Sequence, residues 1–173
     1  MKKVLQFAGM ISLALAAVAF VLMMVTPAVI QPIIGDTQTV YAGTTAIFGK
    51  TEKGILVDVV TKPSVLALIG WILLLAGLIV VFLAVLLPLL KVKALERFSG
   101  VMNLVALCCF VLAGVFMFFV VPTFYAANEW EIAKNTQIGA GWVIGGIIAI
   151  VAGAFAILPA AADFMGKKKG KRK

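Results

Sequence analysis

The sequence predicts an all-α integral membrane protein: a four-transmembrane-helix bundle with a small extracellular β-hairpin in its first outer loop. Three observations lead there. Of 173 residues, 64% are hydrophobic and 13% charged, against about half and a quarter in a soluble domain. Too little polar surface remains to cover a water-soluble core. Four apolar runs, about 4–25, 64–90, 101–121 and 139–164, each match the ~20 residues that cross a hydrocarbon layer of about 30 Å. Basic residues gather at alternate ends of these runs, the distribution that sets membrane topology. The chain reads as one membrane domain, 1–173, with outer loops 26–63 and 122–138 and a basic tail 165–173.

The first run follows Met1-Lys2-Lys3. A basic start before an apolar run has the outline of a signal peptide, whose core spans about 7–15 residues. Val4 to Val25 is longer, and the small-x-small site Ala17-Val18-Ala19 is followed by more apolar chain. We read an uncleaved helix. Gly9, Ser12, Ala16 and Ala19 give it a small-residue face for close helix packing. Pro27 and Pro32 stop it.

The first outer loop has β-type composition. Thr39–Phe48 and Gly54–Val60 are candidate strands, joined by a turn over Gly49–Lys53. A lone two-stranded hairpin is marginal in water, so it needs cover from the second outer loop or from a partner chain. Pro63 and Ser64 mark the start of the second helix. Its small residues are Ala67, Gly70, Gly77 and Ala84, and Trp71 sits where an interfacial anchor belongs. A short basic link, Lys91–Gly100, leads to the third helix, which Pro122 is expected to end. The second outer loop carries Phe124, Tyr125 and Trp130, either as an interface belt or as a lid over the hairpin. The fourth helix has a stripe of Gly139, Trp142, Gly146, Ala149, Gly153, Ala156 and Ala160. It also holds the motif Gly141-x-x-x-Gly145.

Orientation follows from the basic residues. Lys2, Lys3, Lys91, Lys93, Arg97 and six tail residues share one side, against Lys50, Lys53, Lys62 and Lys134 on the other. Both termini are expected in the cytoplasm. A Met-Lys-Lys start and a compact layout suit a bacterial plasma membrane. The same distribution argues against nucleic acid as a partner, because the excess charge lies at helix ends. The expected partners are the lipid bilayer and either a second membrane protein or further copies of this chain.

Chemistry within the spans is sparse. The chain has no histidine, which removes the commonest general base and metal ligand. Cys108 and Cys109 are adjacent, so on a helix they do not face each other as a redox pair. Asn103 and Asp163 are the polar exceptions near one side, and Pro159 lies inside the fourth run. A lipid-processing enzyme would have to use carboxylates at the interface, such as Glu129, Glu131 or Asp58. No catalytic, cofactor-binding or metal-ligating residue is assigned, and no enzyme activity is expected.

The layout is similar to that of claudin-like tetraspan proteins, in topology alone: four helices, a longer strand-bearing first loop, a short inner link, a shorter second loop and a basic tail. Their first-loop tryptophan and glycine-leucine-tryptophan with two following cysteines is absent, since loop 26–63 has neither Trp nor Cys. No functional residue is carried over. The function expected is interaction: an accessory subunit, an assembly factor or a scaffold presenting an outer loop. The alternative is a pore or small transporter subunit whose path forms in an oligomer.

Overall fold

The computed structural model describes residues 2–32, 38–53, 58–89 and 98–170, with side chains for 7–32, 38–53, 58–86 and 98–162. The chain is mostly helical. Four long helices run up and down: α1 (Lys2–Val25), α3 (Val65–Leu89), α4 (Ser99–Phe118) and α6 (Ala140–Gly170). Each contains a stretch long and apolar enough to cross a membrane. Between them lie β1 (Pro27–Pro32), β2 (Gln38–Ala42), the short helix α2 (Gly43–Phe48), β3 (Lys50–Glu52), β4 (Val59–Thr61), a further helix α5 (Val120–Asn128) and β5 (Gln137–Ile138). All the strands and both short helices lie at one end of the bundle, hereafter the sheet end. The chain's start and the end of α6 lie at the other, the terminal end.

The small residues face inward. Gly9, Ser12, Ala16 and Ala19 on α1 are buried, as are Ala67, Gly70, Gly77 and Ala84 on α3. The α6 stripe from Gly139 to Ala160 is buried throughout. Lipid tails are as apolar as leucine, so helices in a bilayer gain by close approach and dispersion contact more than by hiding bulky groups. At Gly114 of α4 backbone meets backbone: an added Cβ would stand 2.6 Å from the Gly146 carbonyl oxygen of α6. Gly141 and Gly145 also pack within the chain, against Thr26 and against Met117 and Leu22. Ser12 donates to the Ala152 carbonyl at 2.7 Å, tying α1 to α6.

Three expectations for the loops need correction. The hairpin is not Thr39–Phe48 against Gly54–Val60. Only residues 38–42 of the first segment are strand, and they pair antiparallel with β1, from Pro27↔Ala42 to Pro32↔Gln38. Residues 43–48 turn into α2 instead. There Ala46 and Ile47 become fully buried, and that tertiary gain overrides their β-type composition. Of the second segment, residues 54–57 lie outside those described. Its end continues as β4, which pairs with β3 through Thr51↔Val60 and Glu52↔Val59.

Second, Pro27 and Pro32 do more than stop α1. They bracket β1, the centre of a three-stranded sheet ordered β2-β1-β5. At a strand's ends the missing N–H of proline does least damage. Third, Pro122 does not end the third helix. The break falls at Phe119, whose N–H bonds to the Phe116 carbonyl at 3.1 Å. Proline crowds the carbonyl four residues earlier, here that of Phe118, so the helix is disturbed a turn upstream. It then resumes as α5, so the second outer loop that the sequence places at 122–138 is helical as far as Asn128. Helix α6 runs unbroken through Pro159.

Candidate interaction surface at the sheet end

Two sheets of different standing share this end. The β2-β1-β5 sheet is roofed by aromatic side chains. Tyr41 of β2 lies 5.0 Å from Phe124 and 5.9 Å from Trp130, centroid to centroid, and Tyr125 completes the group edge-on to both Phe124 and Trp130. Phe124 and Tyr125 are fully buried. The Tyr125 hydroxyl donates to the Gln31 side-chain oxygen at 2.9 Å, joining α5 to β1. Thus the aromatics of the second loop form a lid, but over this sheet and not over the β3–β4 hairpin. Burial, then the nearby Tyr125 and Glu52, push the Tyr41 phenol above its usual pKa.

The β3–β4 hairpin is a separate two-stranded sheet. Its register places Glu52 and Val59 on one face and Thr51 and Val60 on the other. Val59 is 55% exposed and Val60 60%, so both faces present apolar surface. Lys50 and Glu52 form an exposed ion pair at 2.6 Å. Such a hairpin has little to stabilise it alone.

Its root is held firmly. The Asn128 side-chain oxygen accepts from the Lys62 N–H at 2.6 Å, and its amide donates to the Lys62 carbonyl at 3.1 Å and the Phe124 carbonyl at 2.8 Å. One side chain therefore replaces a missing neighbouring strand. The Lys62 ammonium reaches Glu129 at 3.0 Å. On the other strand, Gly49 makes the turn out of α2 with φ of 74°, where a Cβ would meet the Thr61 carbonyl at 2.6 Å. Ser64 N–H donates to the Ala46 carbonyl at 2.8 Å, closing the base.

The other residues singled out in the sequence are dispersed. Trp71, near the sheet end of α3, is half-buried between Phe20 and Phe48, at 6.1 and 5.2 Å. Asn103 is buried, and its amide bonds within its own helix to the Ser99 carbonyl at 2.9 Å. Asp58, Glu129 and Glu131 are all exposed. Among the described residues no three His, Cys, Asp or Glu side chains converge on a metal-sized point. Asp163 lies among the side chains outside those described. Asn128 and Gly49 carry the root of the hairpin, yet nothing in the sequence distinguishes them from ordinary turn residues. The chain matches no family model and no curated protein.

Proposed function

We propose that this chain is a small tetraspan membrane protein that acts by interaction, presenting the β3–β4 hairpin to a partner protein. The observation that carries this is the pairing of a fixed root with a free arm. Asn128 and Gly49 hold the base of the hairpin, while Val59 and Val60 expose apolar surface on its two faces. A partner that covered those faces would supply the packing an isolated hairpin lacks. The claudin-like arrangement enters as layout only.

In this reading both termini are cytoplasmic and the sheet end is external, in a bacterial plasma membrane. The basic-residue distribution supports that orientation. An accessory or assembly role is favoured over an enzyme because, among the described residues, Asp58, Glu129 and Glu131 are exposed and no three acidic or thiol side chains converge. It is favoured over a pore because polar side chains are sparse in the described spans: Ser12 and Asn103 are buried and both donate to backbone carbonyls of this chain, with Asn103 Oδ1 and the Trp71 and Trp142 indole N–H groups left without partners.

The test is extraction in mild detergent and affinity capture of the full chain, wild type against the double variant Val59→Asp, Val60→Asp. A protein that co-purifies with wild type and is lost from the variant supports the reading. Equal recovery from both, with the variant still folded, overturns it.

A further inference from the structure

The β3–β4 hairpin has an edge as well as two faces, and Asn128 marks which way that edge points. Its side-chain oxygen accepts from the Lys62 N–H at 2.6 Å, and its amide donates to the Lys62 carbonyl at 3.1 Å. This is the double exchange made by directly opposed residues of antiparallel strands, with an amide side chain in place of a peptide. Both Lys62 groups therefore point away from β3. Backbone groups alternate between the two edges along a strand. Thr61 then faces its register partner Lys50, and its carbonyl oxygen does lie on that side, 2.6 Å from where a Gly49 Cβ would stand. Val60 faces outward again, on the same edge as Lys62. Among the described residues no strand pairs with that edge, and Val60 is 60% exposed. Asp58 has the same parity, is exposed, and belongs to neither ion pair of this region.

We propose that the outer edge of β4 binds an extended segment of the partner protein by antiparallel strand addition, with Asn128 fixing its register. The inference rests on the hairpin being the surface presented to a partner, and names what that partner brings. Asn128 already fills the place opposite Lys62, so an added strand starts opposite Val60 and runs toward Asp58. Its first residue exchanges both backbone bonds with Val60, and its third does the same with Asp58. Side chains of directly opposed residues lie on one face. The first side chain therefore stands beside Val60, the second beside Val59 and the third beside Asp58. The chemistry selected is an extended run of apolar, apolar and basic residues. In this mode of recognition main-chain hydrogen bonds give affinity and the flanking side chains give specificity. The added strand also widens both faces of a hairpin that is too small to be stable alone.

The probe is an acetylated, fluorescent peptide amide, Val-Val-Lys-Thr-Thr, titrated into the full chain in detergent micelles. Anisotropy reads binding and amide exchange reads its place. The peptide is expected to protect the Val60 N–H and leave the Thr61 N–H, which faces β3, unchanged. N-methylating its first residue removes the donor to the Val60 carbonyl and should weaken binding about tenfold. Exchanging its lysine for glutamate should weaken binding about threefold at low salt, and Asp58→Lys should reverse that preference. Val60→Pro removes only an outward N–H, which an edge strand tolerates. It should abolish binding while exchange at Thr61 stays slow. Unchanged affinity of the N-methylated peptide, or binding that survives Val60→Pro, overturns the proposal; the partner then rests on the valine faces, and the hairpin reading stands. No protection of Val60 by the unmodified peptide overturns it as well. The hairpin reading is judged apart from both, by capture with the Val59→Asp, Val60→Asp variant.

Discussion

Inside the spans most buried positions belong to small side chains, such as Ala16, Ala19, Ala113 and Ala152, with Leu74, Val81 and Phe110 as larger members of that core, while Phe7, Ile79, Phe82 and Ile147 face outward. At the sheet end the order reverses. Phe124, Tyr125 and Trp142 are inside, and Lys50, Glu52, Lys53 and Glu131 are outside. The two regions belong to one chain and meet in the cluster at the sheet end, where Met23, Met117 and Trp142 share a core with Phe124, while Ala16, Leu74, Phe110 and Ala149 form a second cluster within the spans. What differs is the surroundings each was selected for. Against hydrocarbon, burying a large apolar group gains little, and close backbone approach gains dispersion. Against water, the area of an aromatic ring removed from solvent is the main stabilising term.

The largest effects should therefore have opposite signs of size in the two regions. Gly114→Val is expected to destabilise by about 3 kcal/mol or more, because the new methyls meet the backbone of α6 rather than a yielding side chain. Phe124→Ala should cost about 3–5 kcal/mol by opening a cavity. The outward-facing Ile147→Ala should stay within about 0.5 kcal/mol. Reversible unfolding in mixed micelles measures all three, and a tolerated Gly114→Val beside a costly Ile147→Ala would break the contrast.

A smaller, local effect is expected at the hairpin root. Asn128→Ala leaves the Lys62 N–H and carbonyl without their partner, at about 2 kcal/mol. Amide exchange should accelerate through β4 and leave the four long helices unchanged. Asn128→Asp should restore protection at the Lys62 N–H alone, since it keeps the acceptor and loses the donor. Smaller again is Ser12→Ala, at about 0.6 kcal/mol, the usual worth of a hydrogen bond between helices in a membrane. Its acceptor, Ala152, sits mid-helix and already serves the helix's own ladder.

The least effect is electrostatic. The Tyr41 phenol has its pKa raised in the folded state, first by burial and then by Tyr125 and Glu52. Its contribution to stability is complete below the unfolded value of about 10. It is lost as pH rises through the higher folded value, because only the unfolded chain ionises readily in that window. Absorbance titration should show a late phenolic step that Tyr41→Phe removes.

The long helices could be read from the sequence because length and hydropathy are local quantities, and the small-residue stripes because helical period is local too. The sheet could not. Thr44, Thr45, Ile47 and Phe48 favour strand by composition, yet the segment is helix because only that geometry buries Ala46 and Ile47 at the sheet end. The prolines around β1 look like helix stops until its partners are known, and one of those partners lies in the loop before α6. Asn128 acts on a residue 66 positions away, a relation that no spacing rule encodes.

The placement of β5 bears on the order in which the protein can be assembled. Val29 of β1 pairs with Ile138, more than half the chain later. The Gly139 N–H donates to the Ala28 carbonyl at 3.0 Å just beyond that pairing. At a synthesis rate of roughly 5–20 residues per second, β1 waits several seconds with one side bare. During that interval its exposed edge could recruit a foreign strand. Pro27 and Pro32, one at each end of β1, offer no N–H to such a strand and so shorten the stretch on which it could register.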